Sequence, residues 1–531
     1  MHTTSLHQCS ARVSRRQLLK GLSAGIIAVG VAWMAGGATV GGFLDSRAQA
    51  ASTDVSLPHR FGRMFSGLPP FAPANDAIRA ALRELGKPGG LLDAGDELAA
   101  GPVALIADPA LSANNPNHPT HTAGTTFMGQ FLDHDITFDR KSPLGKPRPP
   151  ISVPNARTAA FDLDSVYGDG PDGSPSLYDP HDQSKFRVES GGLFEDLPRD
   201  DDHVAIIADP RNDENLIISG LQAAFLLSHN HAVDRVRAQN PAISPEEAFE
   251  EAHRLMRWHY QWLIVHEFLP LFVGQTMVDD ILAHGRQFYT PGLGQAFIPV
   301  EFQTGVYRFG HSLVRPSYRA NLAGDDGQPF FGLIFDPSQE GAADPDDIRG
   351  GARAPRRFID WQTFFDFADG QVKPNKKIDT KLSTPLFNLP LGAIADGSPP
   401  TALAERNLLR HLTWQLPSGQ AIALRMGAPV LSREDLAELR GIHPYFDRST
   451  PLWYYILKEA ELMQEGLQLG PVGGRIVGEV FIGLLQADPH AYLNVQPDWV
   501  PTLPTKTGNA EDFRMVDFLS FAGVDPASRG Q

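Results

Sequence analysis

Residues 129–135, with the sequence GQFLDHD, set a histidine between two carboxylates. Each residue of a helix turns by about 100°, so Gln130, Asp133 and His134 share one face, while Asp135 points toward a different neighbour. The arrangement suits a base held above a reactive ligand, with Asp135 free to tie the helix to another segment. A solvated surface helix could carry the same residues, so this segment alone does not decide between the two interpretations.

The next polar segment is a loop. Thr158, Ala160, Asp162 and Asp164 alternate along it, which points hydroxyl, carbonyl and carboxylate oxygens into one space. A Ca²⁺ ion takes roughly six to eight such oxygens, and Asp135 could supply a further carboxylate. The spacing is not that of an EF-hand, so an acidic turn without a metal is the alternative.

Two later segments place polar groups at helical spacing. Arg211 and Glu214 lie about one turn apart and could face the same cavity, or form a salt bridge at a helix start. In residues 307–314, YRFGHSLV, Gly310 removes bulk beside His311, as a close planar ligand would require. A histidine on an apolar helix is also common as a satisfied core residue.

A last segment, residues 407–410, has the sequence NLLR. Asn407 carries an amide that could orient an imidazole, and Arg410 carries a guanidinium that could hold a carboxylate. Taken together and in this order, the segments resemble the peroxidase–cyclooxygenase superfamily, in a bacterial form of the animal-type haem peroxidases that include myeloperoxidase and lactoperoxidase. The resemblance covers residues 125–417.

This resemblance implies which residues carry the family's functions. The family's distal helix corresponds to Gln130, Asp133, His134 and Asp135, and its distal arginine corresponds to Arg211. Its proximal haem ligand corresponds to His311, and the hydrogen-bond partner of that ligand corresponds to Asn407. The family's calcium loop corresponds to Thr158, Ala160, Asp162 and Asp164. The arginines that the family places near the haem propionates correspond to Arg308 and Arg410.

On this resemblance the chain is expected to be a haem peroxidase. His134, assisted by Gln130, would take a proton from bound hydrogen peroxide and return it to the departing oxygen, while Arg211 stabilises the developing negative charge. A ferryl intermediate would then oxidise small anions (iodide, thiocyanate, bromide) or phenolic donors. Because His134 must be neutral to act, activity is expected to fall below its pKa, about 6.5 unless the pocket shifts it.

The expected cofactors are a haem b derivative and Ca²⁺. The family's ester links to haem correspond to Asp133 and Glu214, and a cation gripping Asp135 would fix the adjacent base. Asn215 stands where myeloperoxidase has a methionine, so the sulfonium link of that enzyme and strong chloride oxidation are not expected.

Two other functions stay open. A fatty-acid dioxygenase on the same scaffold needs a tyrosine three residues before the proximal histidine, but that position is Arg308. Tyr307 lies one residue too early and is expected to point elsewhere. A non-catalytic, calcium-dependent adhesion or matrix protein would need neither His134 nor Arg211, so the presence of both disfavours it.

The first 50 residues predict an export signal. Arg15 and Arg16 precede a Gly/Ala-rich apolar stretch, and residues 48–50, AQA, resemble a signal peptidase site. We therefore expect a twin-arginine signal peptide at residues 1–50, a peroxidase domain at residues 51–531 and a periplasmic or extracellular mature protein. A membrane anchor is the alternative, because the apolar stretch is long enough to span. The single cysteine, Cys9, lies in this leader, which excludes disulfides and cysteine ligands from the mature chain.

Charge and hydrophobic patterning bound the partners and the fold. Removing the leader, which carries a net charge of +4, changes the formal charge from −16 to −20. Such a surface is unsuited to nucleic acid or anionic lipid, which leaves hydrogen peroxide and small electron donors as partners and the oligomeric state open. The pattern predicts a single, mainly α domain with long loops and few short strands. Its predicted helices cover residues 75–85, 124–135, 215–239, 244–272, 306–314, 406–414 and 452–464.

Overall fold

Helices build most of this computed structural model, which describes residues 59–112, 116–351, 354–394 and 397–531. The predicted leader and its Cys9 lie outside the described residues. The α-helices are α1 (Asp76–Gly86), α2 (Gly101–Ala107), α3 (Gly124–Ile136), α4 (Asp164–Tyr167), α5 (Gly170–Gly173), α6 (Leu216–Gln239), α7 (Pro245–Leu263), α8 (Leu269–Val273), α9 (Gln275–His284), α10 (Leu403–Thr413), α11 (Gly419–Met426), α12 (Leu452–Met463), α13 (Pro471–Ala487), α14 (Tyr492–Val495), α15 (Met515–Phe521) and α16 (Pro526–Arg529).

The strands are short and form two-stranded sheets. They are β1 (Phe61–Gly62), β2 (Asn117–Thr122), β3 (Glu189–Ser190), β4 (Glu195–Asp196), β5 (Ile298–Pro299), β6 (Ser317–Arg319), β7 (Phe331–Leu333) and β8 (Pro374–Lys376). β1 pairs with β5 in parallel, while β2 with β8, β3 with β4 and β6 with β7 are antiparallel. In β1 and β5 the register sets Phe61 opposite Ile298. The mainly α fold with few short strands is confirmed.

Local signals explain where the long helices begin. The Asn215 side chain caps α6 by accepting from the backbone N–H groups of Ile217 and Ile218. Ser244 opens α7 with a capping box, because its side chain and that of Glu247 each accept from the other's backbone. Five predicted helices are present with small shifts at their ends, as α1, α3, α6, α10 and α12.

Two predicted helices differ in type from the expectation. The helix expected over residues 244–272 is interrupted by a π-helical segment, Ile264–Phe268, between α7 and α8. The helix expected over residues 306–314 is a π-helix, Glu301–Val306, that runs into a 3₁₀ helix, Tyr307–Leu313. Hydrophobic spacing does not distinguish these forms from an α-helix, since the turn differs by a fraction of a residue.

The packing of these elements positions the site. α3 contacts both α6 and the Tyr307–Leu313 helix, which brings the segment of His134 next to the segment of His311. α13 lies in the core, where Gly478 and Gly483 leave room for Ile281 and Tyr289. The described residues, from 59 onward, form one compact unit by their internal contacts. Among the described residues, no helix combines the length and apolar character needed to cross a bilayer.

Candidate active site

One cavity contains most of the residues singled out in the sequence. Its empty volume, including the solvent-filled mouth, is about 1640 Å³. The candidate residues that line it are Gln130, Asp133, His134, Arg211, Glu214, Arg308, His311, Asn407 and Arg410. The other candidates, Asp135, Thr158, Ala160, Asp162 and Asp164, do not line it. The structure therefore separates a cavity from a second polar site on the other face of α3.

His134 is held in one tautomer. Its Nδ1 lies 2.9 Å from Oδ1 of Asn212, whose Nδ2 donates to Oε1 of Gln222 over 2.8 Å. Because Asn212 Oδ1 can only accept, Nδ1 carries the proton and Nε2 keeps the lone pair that a base needs. Burial, and then the charge of Arg211, lower the pKa of His134 to about 4. The loss of activity expected below pH 6.5 is therefore moved to about pH 4.

Arg211 is fixed beside this histidine by a buried carboxylate. Its Nε and Nη2 contact the two oxygens of Asp209 at 3.0 and 2.8 Å, and Nη2 donates to the backbone oxygen of His134 over 3.0 Å. The guanidinium also lies 4.0 Å from the ring centroid of Phe138. Burial alone would lower the pKa of Arg211, but Asp209 outweighs it and the pKa is raised. Arg211 thus presents a permanent positive charge to the cavity.

Two carboxyl groups lie on the same side of the cavity. Nε2 of Gln130 donates to Oε1 of Glu214, and Nδ2 of Asn215 donates to Oε1 of Gln130 over 3.4 Å. Burial raises the pKa of Glu214 to about 7, although Arg211 opposes the shift. Asp133 lies 4.0 Å from Nη1 of Arg211. Both carboxyl groups line the cavity, as an ester link to a ligand inside it would require.

His311 is oriented by Asn407 from α10. The amide of Asn407 lies 2.7 Å from Nδ1 of His311, and a 180° rotation of that amide presents its oxygen to an Nδ1–H donor. Burial, and then the charge of Arg308, lower the pKa of His311 to about 3, so the ring is neutral. A Cβ added at Gly310 would meet no atom within 4 Å, which leaves open space beside the ring. A neutral imidazole with Nδ1 engaged offers Nε2 to a metal.

Three arginines besides Arg211 line the same cavity. Arg308 Nε donates to the backbone oxygen of Gln303 over 3.0 Å, and Arg410 Nη1 lies 2.6 Å from Asp139 Oδ2. The third, Arg406, donates to the backbone oxygen of Ser398. Sequence reasoning missed Arg406, although its position four residues before Arg410 on one helix was a usable signal. The three guanidinium groups suit a ligand with carboxylate substituents.

Tyr307 corrects one expectation. Rather than pointing elsewhere, it lines the cavity, and its hydroxyl donates to the backbone oxygen of Gly129 over 2.9 Å. Tyr307 lies where the π-helix passes into the 3₁₀ helix, so counting turns back from His311 does not give its direction. The cavity therefore has a tyrosine in its wall.

The second site is a buried carboxylate cluster. Oxygens of Asp135, Asp162 and Asp164 all lie within 4.8 Å of one another. Burial raises the pKa of each of the three, and repulsion from Asp162 adds to the shift of Asp135 and of Asp164, which reaches about 7. Arg257 and Arg157 offset part of this for Asp162 and Asp164 respectively. Either protonation of a carboxyl group or binding of a cation would relieve this repulsion.

Backbone and hydroxyl groups hold this cluster in place. Asp135 accepts from the N–H of Leu163, from the hydroxyl of Ser165 and from the hydroxyl of Tyr260, each over 3.1 Å. Thr158 donates its hydroxyl to Asp162 over 2.8 Å and its N–H to Asp164 over 2.9 Å, and Ala160 lies in the same loop. Leu163 has a φ of 63°, the left-handed conformation that turns this loop back on itself.

The donor sets fit the two expected cofactors. Neutral His311, the open space beside it and the guanidinium groups of Arg308, Arg406 and Arg410 fit a planar, carboxylate-bearing haem. The oxygen-only cluster, with three carboxylates and one hydroxyl, fits a hard cation such as Ca²⁺. Because Asp135 follows His134 in the chain, a cation in the cluster would also restrain the base.

Comparisons with known proteins agree with this geometry. The animal haem peroxidase family matches residues 138–329, which include Arg211 and His311 but not His134 or Asn407. Peroxidase mlt-7 of Caenorhabditis elegans is 28% identical over 240 residues, 40% of this chain and 31% of that protein. The matching segments cover 7%, 14% and 31% of three curated relatives, so the chain spans less than a third of their length.

Solved structures share the fold. Peroxidase A from Dictyostelium discoideum has a TM-score of 0.55 and 16% identity, with 85% of this chain and 95% of that chain covered. Oryza sativa fatty acid alpha-dioxygenase has a TM-score of 0.54 and 16% identity, with 85% and 77% covered. These two structures show that the chain shares its mainly α fold with a peroxidase and with a fatty acid alpha-dioxygenase. The match to the animal haem peroxidase family covers residues 138–329, about a third of the chain.

Proposed function

We propose that this chain is an exported haem peroxidase that reduces hydrogen peroxide and oxidises small anions, such as iodide, thiocyanate and bromide, or phenols. The observation that carries the proposal is the shared cavity of His134, with its free Nε2, Arg211 and the His311–Asn407 pair. Export rests on the sequence of the leader alone and places the mature protein in the periplasm or outside the cell.

His134 and Arg211 have different roles in the reaction with hydrogen peroxide. His134 Nε2 takes the proton from one oxygen of hydrogen peroxide and returns it to the other, which leaves as water. Arg211 stabilises the negative charge that develops on the departing oxygen. Its contacts with Asp209 and with the backbone of His134 hold it there before the reaction begins. Haem, when bound, would supply the redox-active iron and the two electrons that cleavage of the O–O bond consumes.

Other residues hold the cofactors. His311 would bind the haem iron through Nε2, while Asn407 would fix its ring and leave it less anionic than a carboxylate would. Arg308 and Arg410 would hold the haem carboxylates, while Asp133 and Glu214 would form its ester links. Ca²⁺ would bind the cluster of Thr158, Ala160, Asp162 and Asp164 together with Asp135.

A variant of the base tests the proposal. His134→Ala should retain a Soret band, because His311 and Asn407 are untouched, and should lose about 10²–10⁴-fold in the rate of the Soret change after mixing with peroxide. An unchanged rate would remove His134 from the role of base, and wild-type protein without a Soret band would refute the peroxidase assignment. Acid–acetone extraction after peroxide treatment checks the ester links, since freely extracted haem would contradict them.

One observation favours a second function. Tyr307 lines the cavity, as a tyrosine that takes a hydrogen atom from a fatty acid would have to. Its hydroxyl is engaged by Gly129, and the position three residues before His311 is an arginine, so the peroxidase remains our conclusion. Oxygen uptake with linoleate in the absence of peroxide, abolished in Tyr307→Phe, would favour the dioxygenase instead.

A further inference from the structure

The carboxylate of Asp209 connects Arg211, in the wall of the cavity, to a second arginine outside the cavity. Asp209 has no accessible surface and lies between two guanidinium groups. Arg211 contacts both of its oxygens, and Nε of Arg157 lies 2.9 Å from Oδ2 as an ion pair. Asp209 also accepts from the backbone N–H of Arg211 over 2.9 Å, which fixes the turn that begins at Pro210. One carboxylate therefore determines both the backbone and the side chain of Arg211.

Arg157 continues this set of contacts to the carboxylate cluster. Its Nη1 lies 3.4 Å from both Oδ1 and the backbone oxygen of Asp164, and its Nη2 donates to the backbone oxygen of Ala208 over 3.1 Å. Asp164 is one of the three clustered carboxylates. An unbroken series of charged contacts thus runs from the cluster through Arg157 and Asp209 to Arg211, in parallel with the covalent link between Asp135 and His134.

We propose that Asp209 is a positioning residue that holds Arg211 toward the cavity, and that Arg157 couples this pair to the Asp135–Asp162–Asp164 cluster. A cation bound in the cluster then acts on Arg211 as well as on His134. The inference rests on the proposed peroxidase function, because it explains how Arg211 is held where it would stabilise the charge that develops on peroxide.

The physical reason lies in the contacts that Arg211 would keep without Asp209. The backbone oxygen of His134, the face of Phe138 and the more distant Asp133, 4.0 Å from Nη1, would remain, and none of them fixes both ends of a planar guanidinium. A carboxylate contacted by two guanidinium nitrogens fixes both position and plane. Asp164 likewise divides its oxygens between Arg157 and the cluster, so a cation there changes what Arg157 contacts.

Ligand binding to the haem-loaded protein tests the role of Asp209. Asp209→Asn keeps the shape of the side chain and removes its charge. We expect the dissociation constant of cyanide, an anion that Arg211 stabilises, to rise by about 10–100-fold, while that of nitric oxide, a neutral ligand, changes by less than about twofold. Asp209→Glu should recover part of the cyanide affinity. Equal weakening of both ligands would show a merely structural role and overturn the proposal, as would unchanged cyanide affinity.

A second variant tests the coupling without touching the contacts of Arg211. In the wild type, calcium removal by a chelator should weaken cyanide binding by about 5–150-fold, the usual range of coupling between two sites. Arg157→Gln should reduce this fold-change in cyanide affinity, and the coupling that remains would be transmitted through Asp135 and His134. A fold-change equal to that of the wild type would overturn the role of Arg157.

A matched control uses another buried ion pair. Arg529→Gln removes a guanidinium that contacts Glu195 and the backbone oxygen of Ile359, and neither of these lines the cavity. This variant should leave both the cyanide affinity and its calcium dependence unchanged, and a change equal to that of Arg157→Gln would refute a specific coupling. Wild-type protein that shows no Soret shift with cyanide would instead refute the proposed function itself.

Discussion

The hydrogen bond between His134 and Asn212 controls the pH range over which the histidine can act as a base. At present a neutral amide contacts Nδ1 at 2.9 Å, and burial with Arg211 lowers the pKa of His134 to about 4. Asn212→Asp would place a carboxylate at the same atom. An opposite charge at such a distance raises a pKa by about 1–3, which corresponds to about 1.4–4 kcal/mol in favour of the protonated ring.

The surroundings can keep that carboxylate ionised. Nε2 of Gln222 is buried and has no hydrogen-bond partner, while its Oε1 accepts from Asn212. Rotation of the Gln222 amide would turn Nε2 toward the new carboxylate as a donor. The base must be unprotonated, so the rate is lost as pH falls through the pKa of His134. We therefore expect the acid limb of the rate to move from about pH 4 to about pH 5–7.

Stopped-flow measurement of the Soret change on mixing with peroxide, over a range of pH, reads this limb directly. Asn509→Asp is the control, because it adds the same charge at an exposed position outside the cavity, where the side chain only accepts from the N–H of Glu511, and it should leave the limb near pH 4. If Asn212→Asp binds haem normally but its acid limb coincides with that of the wild type, the assignment of His134 as the base or of Asn212 as its partner is wrong.

Two other predictions concern the cluster and the proximal ligand. Asp162→Asn removes one of three mutually repelling carboxylates, so we expect calcium affinity to fall by about 10-fold or more while the calcium-free protein unfolds at a higher temperature than the wild type. Calorimetry with and without a chelator measures both, and a lower unfolding temperature of the calcium-free variant would contradict the repulsion argument. Asn407→Asp should raise the pKa of His311 above about 3, by about 1–3, and lower the reduction potential of bound haem iron. Spectroelectrochemistry measures the potential, with Asn407→Leu as the uncharged control, and equal potentials in the two variants would count against an ionised partner.

Local spacing predicted the parts of the site that lie on regular helices. Gln130, Asp133 and His134 line the cavity together because α3 is an α-helix with about 100° per residue, and the same geometry turns Asp135 into the cluster. In the structure, the side chains of Asn215 and Ser244 cap the starts of α6 and α7 within three residues of their own positions. Helix periodicity and capping are properties of neighbouring residues, so a single sequence contains them.

Other parts depend on partners that are distant in the chain. The roles of Asn212 and Gln222 become apparent only in the folded structure, where the turn before α6 contacts His134, 78 residues earlier. In the sequence, Arg157 and Asp209 look like ordinary charged loop residues, and only folding brings them into contact in the interior. α13 was not predicted because its glycines weaken the helical pattern, whereas in the structure Gly478 and Gly483 permit close packing. Such contacts are long-range and leave no period in the sequence.

The parallel pairing of β1 with β5 has a consequence for synthesis of the chain. Glu301, at the start of the segment that leads to His311, accepts from the backbone of Met64, 237 residues earlier. At about 5–20 residues per second, a ribosome needs roughly 12–50 s to produce that partner. The amino-terminal segment therefore waits unpaired through this interval, and the proximal half of the pocket is completed only after more than half of the polypeptide has emerged.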